Sequence, residues 1–297
     1  MTLQLDAVPA AAAPPAAGTV TRASRSRPKS GLPLRPASAI SLGVVVTWMS
    51  LVVLIPLAAV AATALDGGWN AFVDGITQPA TAAALRLTIG LSIVVALINA
   101  AMGTLVAWVL VRGRFLGASI FEMVIDIPFA LPTIVAGLVM LALYGGDSPI
   151  GITLVGTRTG LLVTLLFVTL PFTVRTVQPV LTDIGQDVEE AAASLGARPF
   201  AVFRRITLPQ ILPAVASGTV LSFARAIGEY GSVVLISSNL PFRTEIASSV
   251  IYGKLQDADQ AARSTQQAAA IATILLVVSA LVLILLGVIG RRTARHA

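Results

Sequence analysis

Residues 87–111 read Leu-Thr-Ile-Gly-Leu-Ser-Ile-Val-Val-Ala-Leu-Ile-Asn-Ala-Ala-Met-Gly-Thr-Leu-Val-Ala-Trp-Val-Leu-Val, a run bounded by Arg86 and Arg112 with no charge inside it. About 20 apolar residues are enough to carry a helix through a bilayer, where the backbone must satisfy its own hydrogen bonds. Two further stretches are as free of charge, one between Arg35 and Asp66 and one between Arg263 and Arg291. These predict spans near 39–64, 87–111 and 268–290. Three more candidates carry charges at their ends or inside: 120–143 after Glu122 and Asp126, 159–180 around Arg175, and 210–236 around Arg225 and Glu229. Polar interruptions of this kind suit helices that line an interior rather than face lipid. The expectation is an all-α, polytopic membrane protein with six transmembrane helices.

Working outward, the composition agrees. Of 297 residues, 56% are hydrophobic and 11% charged, against about one quarter charged in soluble domains. The net charge of +6 invites a comparison with nucleic-acid binders, but its placement argues otherwise. Arg22, Arg25, Arg27, Lys29 and Arg35 precede the first span and Arg291, Arg292 and Arg295 follow the last, while residues 36–290 are near neutral. A phosphate-binding groove is not what the body offers, and three Trp and three Tyr provide few stacking platforms. There is no cysteine and the single histidine is His296, which excludes disulfides, thiolate sites and histidine-dependent catalysis.

A secretory signal is an alternative for the first span, since basic residues precede it. Its apolar run exceeds the 7–15 residues or so of a signal core and follows a long tail, which favours an uncleaved helix. The tail itself, residues 1–35, has Ala/Pro runs that cannot bury a core and reads as a disordered, basic segment. Residues 36–290 form the expected membrane domain and 291–297 a second basic tail. Orientation follows from basic residues in short loops. With the N-terminus inside, 13 lie in inner segments, among them Arg112, Arg114, Arg198, Arg204 and Arg205, against Arg158, Arg243, Lys254 and Arg263 outside. The prediction is both termini in the cytoplasm.

Between the fourth and fifth spans lies a polar insert, 183–208. Val188, Ala191, Ala192 and Leu195 fall at i, i+3, i+4 and i+7, and Asp187, Glu189 and Glu190 load the positive N-terminal end of that helix. Gly196 supplies a stop, Pro199 suits the first turn of a second helix, and Leu208-Pro209 is expected to end it where the next span begins. From periodicity alone, a helix lying on lipid headgroups is an equal alternative.

The residues themselves decide further. Glu190-Ala191-Ala192, three residues, Gly196, nine residues, then Ile206-Thr207-Leu208-Pro209 resembles the EAA loop of the membrane subunits of bacterial ABC importers, seven positions in 20 residues. Asp126-Ile-Pro-Phe-Ala-Leu-Pro-Thr-Ile-Val-Ala-Gly137 and Phe223-Ala-Arg-Ala-Ile-Gly-Glu-Tyr-Gly-Ser232 are similar to the sulfate and molybdate permease branch. Ile98 to Arg112, Gly228 to Ser232, Asn239 and Thr244-Glu-Ile246 look most like the T-type permeases of sulfate/thiosulfate importers, with molybdate and tungstate permeases the alternative. The resemblance covers roughly residues 40–290. It implies a type I importer fold in a bacterial inner membrane, and ATPase coupling through Glu190, Ala191, Ala192, Gly196, Ile206, Leu208 and Pro209. The implied partners are a second related permease, two ATP-binding subunits and an extracytoplasmic sulfate-binding protein. No cofactor is expected in this chain; ATP and Mg belong to the partner ATPase. Lys29 and Lys254, the only lysines, do not follow the glycine spacing of a phosphate-cradling loop.

Inside the membrane, Arg225 and Glu229 are one helical turn apart. They read either as an ion pair or partner contact, or as elements of an anion path that binds weakly enough to release its solute. Arg86 is a candidate mouth residue or a snorkelling helix end. Asn99, Thr133, Ser222 and Ser232 supply uncharged polar groups, and Pro128, Pro132, Pro209 and Pro213 mark expected irregularities. In the outer loop, Ile246, Val250 and Ile251 suggest a short amphipathic helix. A membrane enzyme lacks a recognisable catalytic constellation here, and a secondary transporter would have no use for an ATPase-docking loop.

Overall fold

The computed structural model describes residues 36–113 and 115–293. The predicted N-terminal tail and the last four residues of the predicted C-terminal tail lie outside them. Chain contacts divide the protein into two units, 1–50 and 51–297. The described part of the first is helix α1, Pro36–Met49, and Ser50. Among the described residues there is no strand.

The second unit opens with the rest of the π-helical turn Ser50–Leu54 and α2, Ile55–Leu65. There follow α3, Gly68–Thr77, and the long α4, Pro79–Arg112. After a break come α5, Ala118–Ala130, and α6, Thr133–Tyr144. α7 is Arg158–Ile184, α8 is Asp187–Ser194 and α9 is Pro199–Val202, the last joined by a π-turn at Phe203–Thr207 to α10, Leu208–Ile227. Short α11, Gly231–Val234, and α12, Ala247–Leu255, precede α13, Ala261–Thr293.

Five helical runs have the length and apolar character of spans: Ile40–Leu65, Pro79–Arg112, Arg158–Ile184, Pro199–Ile227 and Ala261–Leu285. The sixth expected span, 120–143, differs. α5 and α6 are bent by 117° across Leu131-Pro132. Proline removes a backbone donor and pushes its predecessor out of the helical region; Leu131 is extended accordingly. The pair still has to carry the chain across. The C-terminal ends of α4 and α7 meet, with Arg112 Nη2 donating to Gly185 O at 2.7 Å, while Arg86 and Arg158, near their N-terminal ends, line one cleft. Because α4 and α7 run parallel, residues 113–157 return the chain between them.

The insert also differs from the sequence expectation. The helix starting at Pro199 does not stop at Leu208-Pro209 but runs on to Ile227. Wide π-helical hydrogen bonding at Phe203–Thr207 absorbs the irregularity that Pro209 imposes. The expected span at 210–236 is therefore displaced toward the N-terminus, and 228–236 instead forms a turn and α11.

α4, α7 and α10 make the centre of the unit. Near the Arg112 end they bury Ala107, Val174, Val177, Leu181, Ile211 and Ala214 together. Toward the other end Val95, Leu161, Leu165 and Ala226 of these helices are buried together with Val233 of α11 and Ile236 just beyond it. Small residues permit the approach: a Cβ built on Gly218 would lie 2.8 Å from Thr173 Cα. Halfway along, the Asn99 side-chain amide donates to Thr169 Oγ1 at 2.7 Å and Ser222 Oγ at 3.0 Å, one residue from each helix, all buried. α12 packs its own Ala247, Val250 and Ile251 against Leu85 of α4 and Ile271 of α13, so a helix forms where Val250 and Ile251 suggested one, while Ile246 precedes it and is buried in another cluster.

Candidate functional site

The insert becomes an elbow at the Arg112 end. α8 forms as its apolar spacing and acidic first turn suggest, and Leu195 closes it. Gly196 then takes φ +83°, a left-handed conformation that glycine adopts without the Cβ penalty, and Ala197 N–H reaches back to Ala192 O at 3.1 Å. Arg198 is extended and Pro199 begins the second helix.

Most of the elbow faces outward. Glu190, Ala191, Ala193, Gly196 and Arg198 are exposed, Leu195 is 90% exposed and Phe200 73%. Ala192 and Ile206 are half-buried, Leu208 packs partly on the α4/α7/α10 core, and Pro209 is exposed. The expected apolar stripe on α8 thus finds little of its own chain to cover it. Glu190 makes no ion pair among the described residues.

What holds the elbow is its neighbour. Glu189 accepts from Arg112 Nε at 3.2 Å and Nη2 at 3.1 Å, and from Thr207 Oγ1 at 2.9 Å. The Arg112 guanidinium also lies 5.8 Å from the Trp108 ring centroid, and Trp108 meets Phe203 edge-on at 5.0 Å. Around these residues is a cleft of about 320 Å³ that includes Gln186, Ala193 and Pro199. The roles of Arg112, Glu189 and Thr207 were missed from sequence. The available signal was an arginine ending a charge-free run and an acid one place before the recognised motif.

Arg225 and Glu229 do come together as an ion pair. Glu229 is 2% exposed, and its Oε1 accepts from the backbone N–H and the hydroxyl of Ser232, both at 2.9 Å. The carboxylate therefore holds the first turn of α11, and Arg225 balances its charge. Arg86 lies elsewhere, exposed on a cleft of about 470 Å³ with Arg158 and Phe242. Arg158 is engaged there by the carbonyls of Phe242 at 3.2 Å and Arg243 at 3.0 Å.

A third charged group joins α5 to α7. Arg175 pairs with Asp126 and donates from Nη1 to Gln178 Oε1 at 3.0 Å, and Gln178 donates to Glu122 at 2.7 Å. No group of three or more His, Cys, Asp or Glu that could hold a metal occurs among the described residues. The features among the described residues are an outward-facing elbow and buried polar ties between helices.

Comparison with known proteins agrees with that geometry. Residues 100–295 match the family described as binding-protein-dependent transport system inner membrane component. The chain is 37% identical over 272 residues, 88% of this chain and 96% of the relative, to the sulfate transport system permease protein CysT of Salmonella typhimurium. It is 40% identical over 261 residues to the protein of the same name from Synechocystis, covering 86% and 90% of the two chains. Among solved structures it resembles a bacterial ABC transporter involved in import of the acidic polysaccharide alginate, with a TM-score of 0.70 at 16% identity over 86% of this chain and 94% of that one. At that identity the likeness speaks to fold alone. The chain is a multi-pass, non-enzymatic permease that belongs to the family of binding-protein-dependent transport system inner membrane components.

Proposed function

We propose that this chain is the membrane-spanning subunit of an ATP-driven importer that conducts sulfate, and thiosulfate as a related dianion, into the cell. The observation that carries the coupling half of this reading is the elbow: it exposes Glu190, Ala191, Leu195 and Phe200 while Glu189 fastens it from behind. Alanines permit close approach of a partner surface, Glu190 offers a charge to basic groups, and the apolar side chains await cover. The elbow is cytoplasmic in this reading, and a separate ATP-hydrolysing subunit docks on Glu190, Ala191, Ala192, Gly196, Ile206, Leu208 and Pro209. ATP and Mg are bound by that subunit.

The solute half is supported by the relatives named as sulfate permeases over most of their length. The remaining partners proposed are a second related permease, a second copy of the ATPase subunit and an extracytoplasmic sulfate-binding protein, in a bacterial inner membrane. Arg225, Glu229 and Arg86 are the charged groups through which the path and its mouth act on the anion, the first two as a mutually neutralising pair that avoids trapping a dianion.

Competition of labelled sulfate uptake by molybdate in the assembled complex tests the solute assignment. Sulfate and thiosulfate are expected to compete and molybdate to compete poorly. Stronger competition by molybdate than by sulfate itself would transfer the chain to the molybdate branch.

A further inference from the structure

Seen from α8, three spans converge on a single carboxylate. Glu189 is fixed to the end of α4 by Arg112 and to the π-turn that leads into α10 by Thr207. Arg112 is fixed in turn to the end of α7 by the Gly185 carbonyl. The ion pair is largely buried, its side chains 10% and 15% exposed. Removing one member of such a pair leaves an uncompensated charge, so it yields far less readily than a surface pair. Arg112 uses two nitrogens of its planar fork on Glu189, a second bond from Nη2 on Gly185 O and its face on Trp108, a combination lysine cannot reproduce.

We infer that Arg112 is a positioning residue of the coupling machinery: it makes the end of α4 part of the elbow, so that a displacement of the elbow is delivered to α4 as well as to α7 and α10. This rests on the proposed docking of an ATPase at the elbow. In sequence α8 leads back to α7 and, through α9, on to α10; the clamp adds the direct link from α8 to the end of α4. The same three helices are tied again at mid-depth by Asn99, and between the two ties Gly103 and Gly218 both close on Thr173. Two ties and a close-packed seam leave α4 little freedom to slide against its neighbours, so the three move as one lever. α5 contrasts with them. It buries only Pro128, and its polar links to α7 run through Asp126, with Arg175, and Glu122, with Gln178.

The absence of cysteine allows labels to be placed freely. Spin labels on introduced cysteines at exposed Val109 and Ala193 report the distance between the end of α4 and α8. In the complete complex with its ATPase subunits, in nanodiscs, that distance is expected to be a single narrow distribution, unchanged between nucleotide-free and ATP-bound states. Arg112→Gln and Glu189→Gln each broaden it and lower sulfate uptake per ATP hydrolysed by about fivefold or more. The charge exchange Arg112→Glu with Glu189→Arg restores the ion pair but not the bonds to Gly185 O and from Thr207, so it narrows the distribution and recovers uptake only in part, above either single variant. Should Arg112→Gln fail to assemble, Arg112→Lys and Glu189→Gln carry the same two readouts. A narrow distribution with wild-type uptake per ATP in the single variants overturns the inference, as does a 109–193 distance that changes with nucleotide in the intact clamp. A fixed, clamp-dependent distance in a complex that takes up no sulfate leaves the lever standing and defeats the solute assignment instead.

Discussion

Gly103 of α4 faces Thr173 of α7 so closely that a Cβ on the glycine would lie 2.7 Å from the threonine Cβ. Thr173 also meets Gly218 of α10, where an added Cβ would lie 2.8 Å from the threonine Cα. Contacts of this kind are how helices associate in a membrane, where burial of apolar surface offers no advantage over lipid. Gly103→Ala or Gly218→Ala forces the seam apart, and overpacking of this size costs about 1–3 kcal/mol. Both variants are expected to lower the thermal midpoint of the purified protein, whereas Gly90→Ala, with open space around its Cβ, is expected to leave it unchanged.

The polar tie at mid-depth gives a second prediction. Asn99→Leu removes the donor that serves Thr169 and Ser222 at once. Buried hydrogen bonds between membrane helices contribute about 0.6 kcal/mol each, with a maximum near 1.7, so a loss of roughly 1–2 kcal/mol is expected in a reversible unfolding measurement. Ser222→Ala takes away only one of the two acceptors and is expected to cost less than Asn99→Leu.

These ties also show where sequence is legible and where it stops. Charge-free runs revealed three of the spans, near 39–64, 87–111 and 268–290, because lipid imposes length and apolarity on each helix separately. The insert 183–208 revealed the elbow, because caps, glycine and proline act locally. Asn99, Thr169 and Ser222 were no more than scattered polar residues in sequence, since pairing across 70 and 123 positions is set by packing. The same holds for Arg112 with Glu189. The break at Leu131-Pro132 had a visible cause in its proline, but the 117° bend depends on what α5 and α6 pack against. Leu208-Pro209 misled for the opposite reason: a local stop signal was overridden by a π-turn that let the helix continue.

Gly196 separates two ways of damaging the elbow. Nothing lies within 4 Å of a Cβ placed there, but φ is +83°. Substitution is therefore resisted by backbone conformation, about 1–2 kcal/mol for an ordinary residue and less for asparagine. Sulfate uptake per ATP is expected to fall in the order Gly, Asn, Ala, Val, the bulky variant uncoupling transport from hydrolysis. Wild-type coupling in Gly196→Val would remove the bend from the coupling account.

The loop that carries α12 is expected to respond to pH. Burial raises the Glu245 carboxyl above its ordinary 4.5 and lowers the Lys254 ammonium below its ordinary 10.5. For Glu245 the folded state holds its proton more tightly than the unfolded one. Its stabilising contribution is complete below 4.5 and is lost as pH rises through the raised value. For Lys254 the burial penalty is present at neutral pH and is relieved as pH rises toward 10.5. Amide exchange over 247–255, corrected for intrinsic rates, is expected to show greater protection on acidification from neutral pH toward 4.5, and Glu245→Gln is expected to abolish that dependence.

Energy coupling through a partner is the core of the functional account, and vesicles test it directly. The complex is reconstituted with its binding protein outside and ATP inside, and labelled sulfate uptake is compared with vesicles that lack only the ATPase subunits. Uptake that requires both ATP and those subunits is the expected result; sulfate accumulation by this chain in their absence would contradict it.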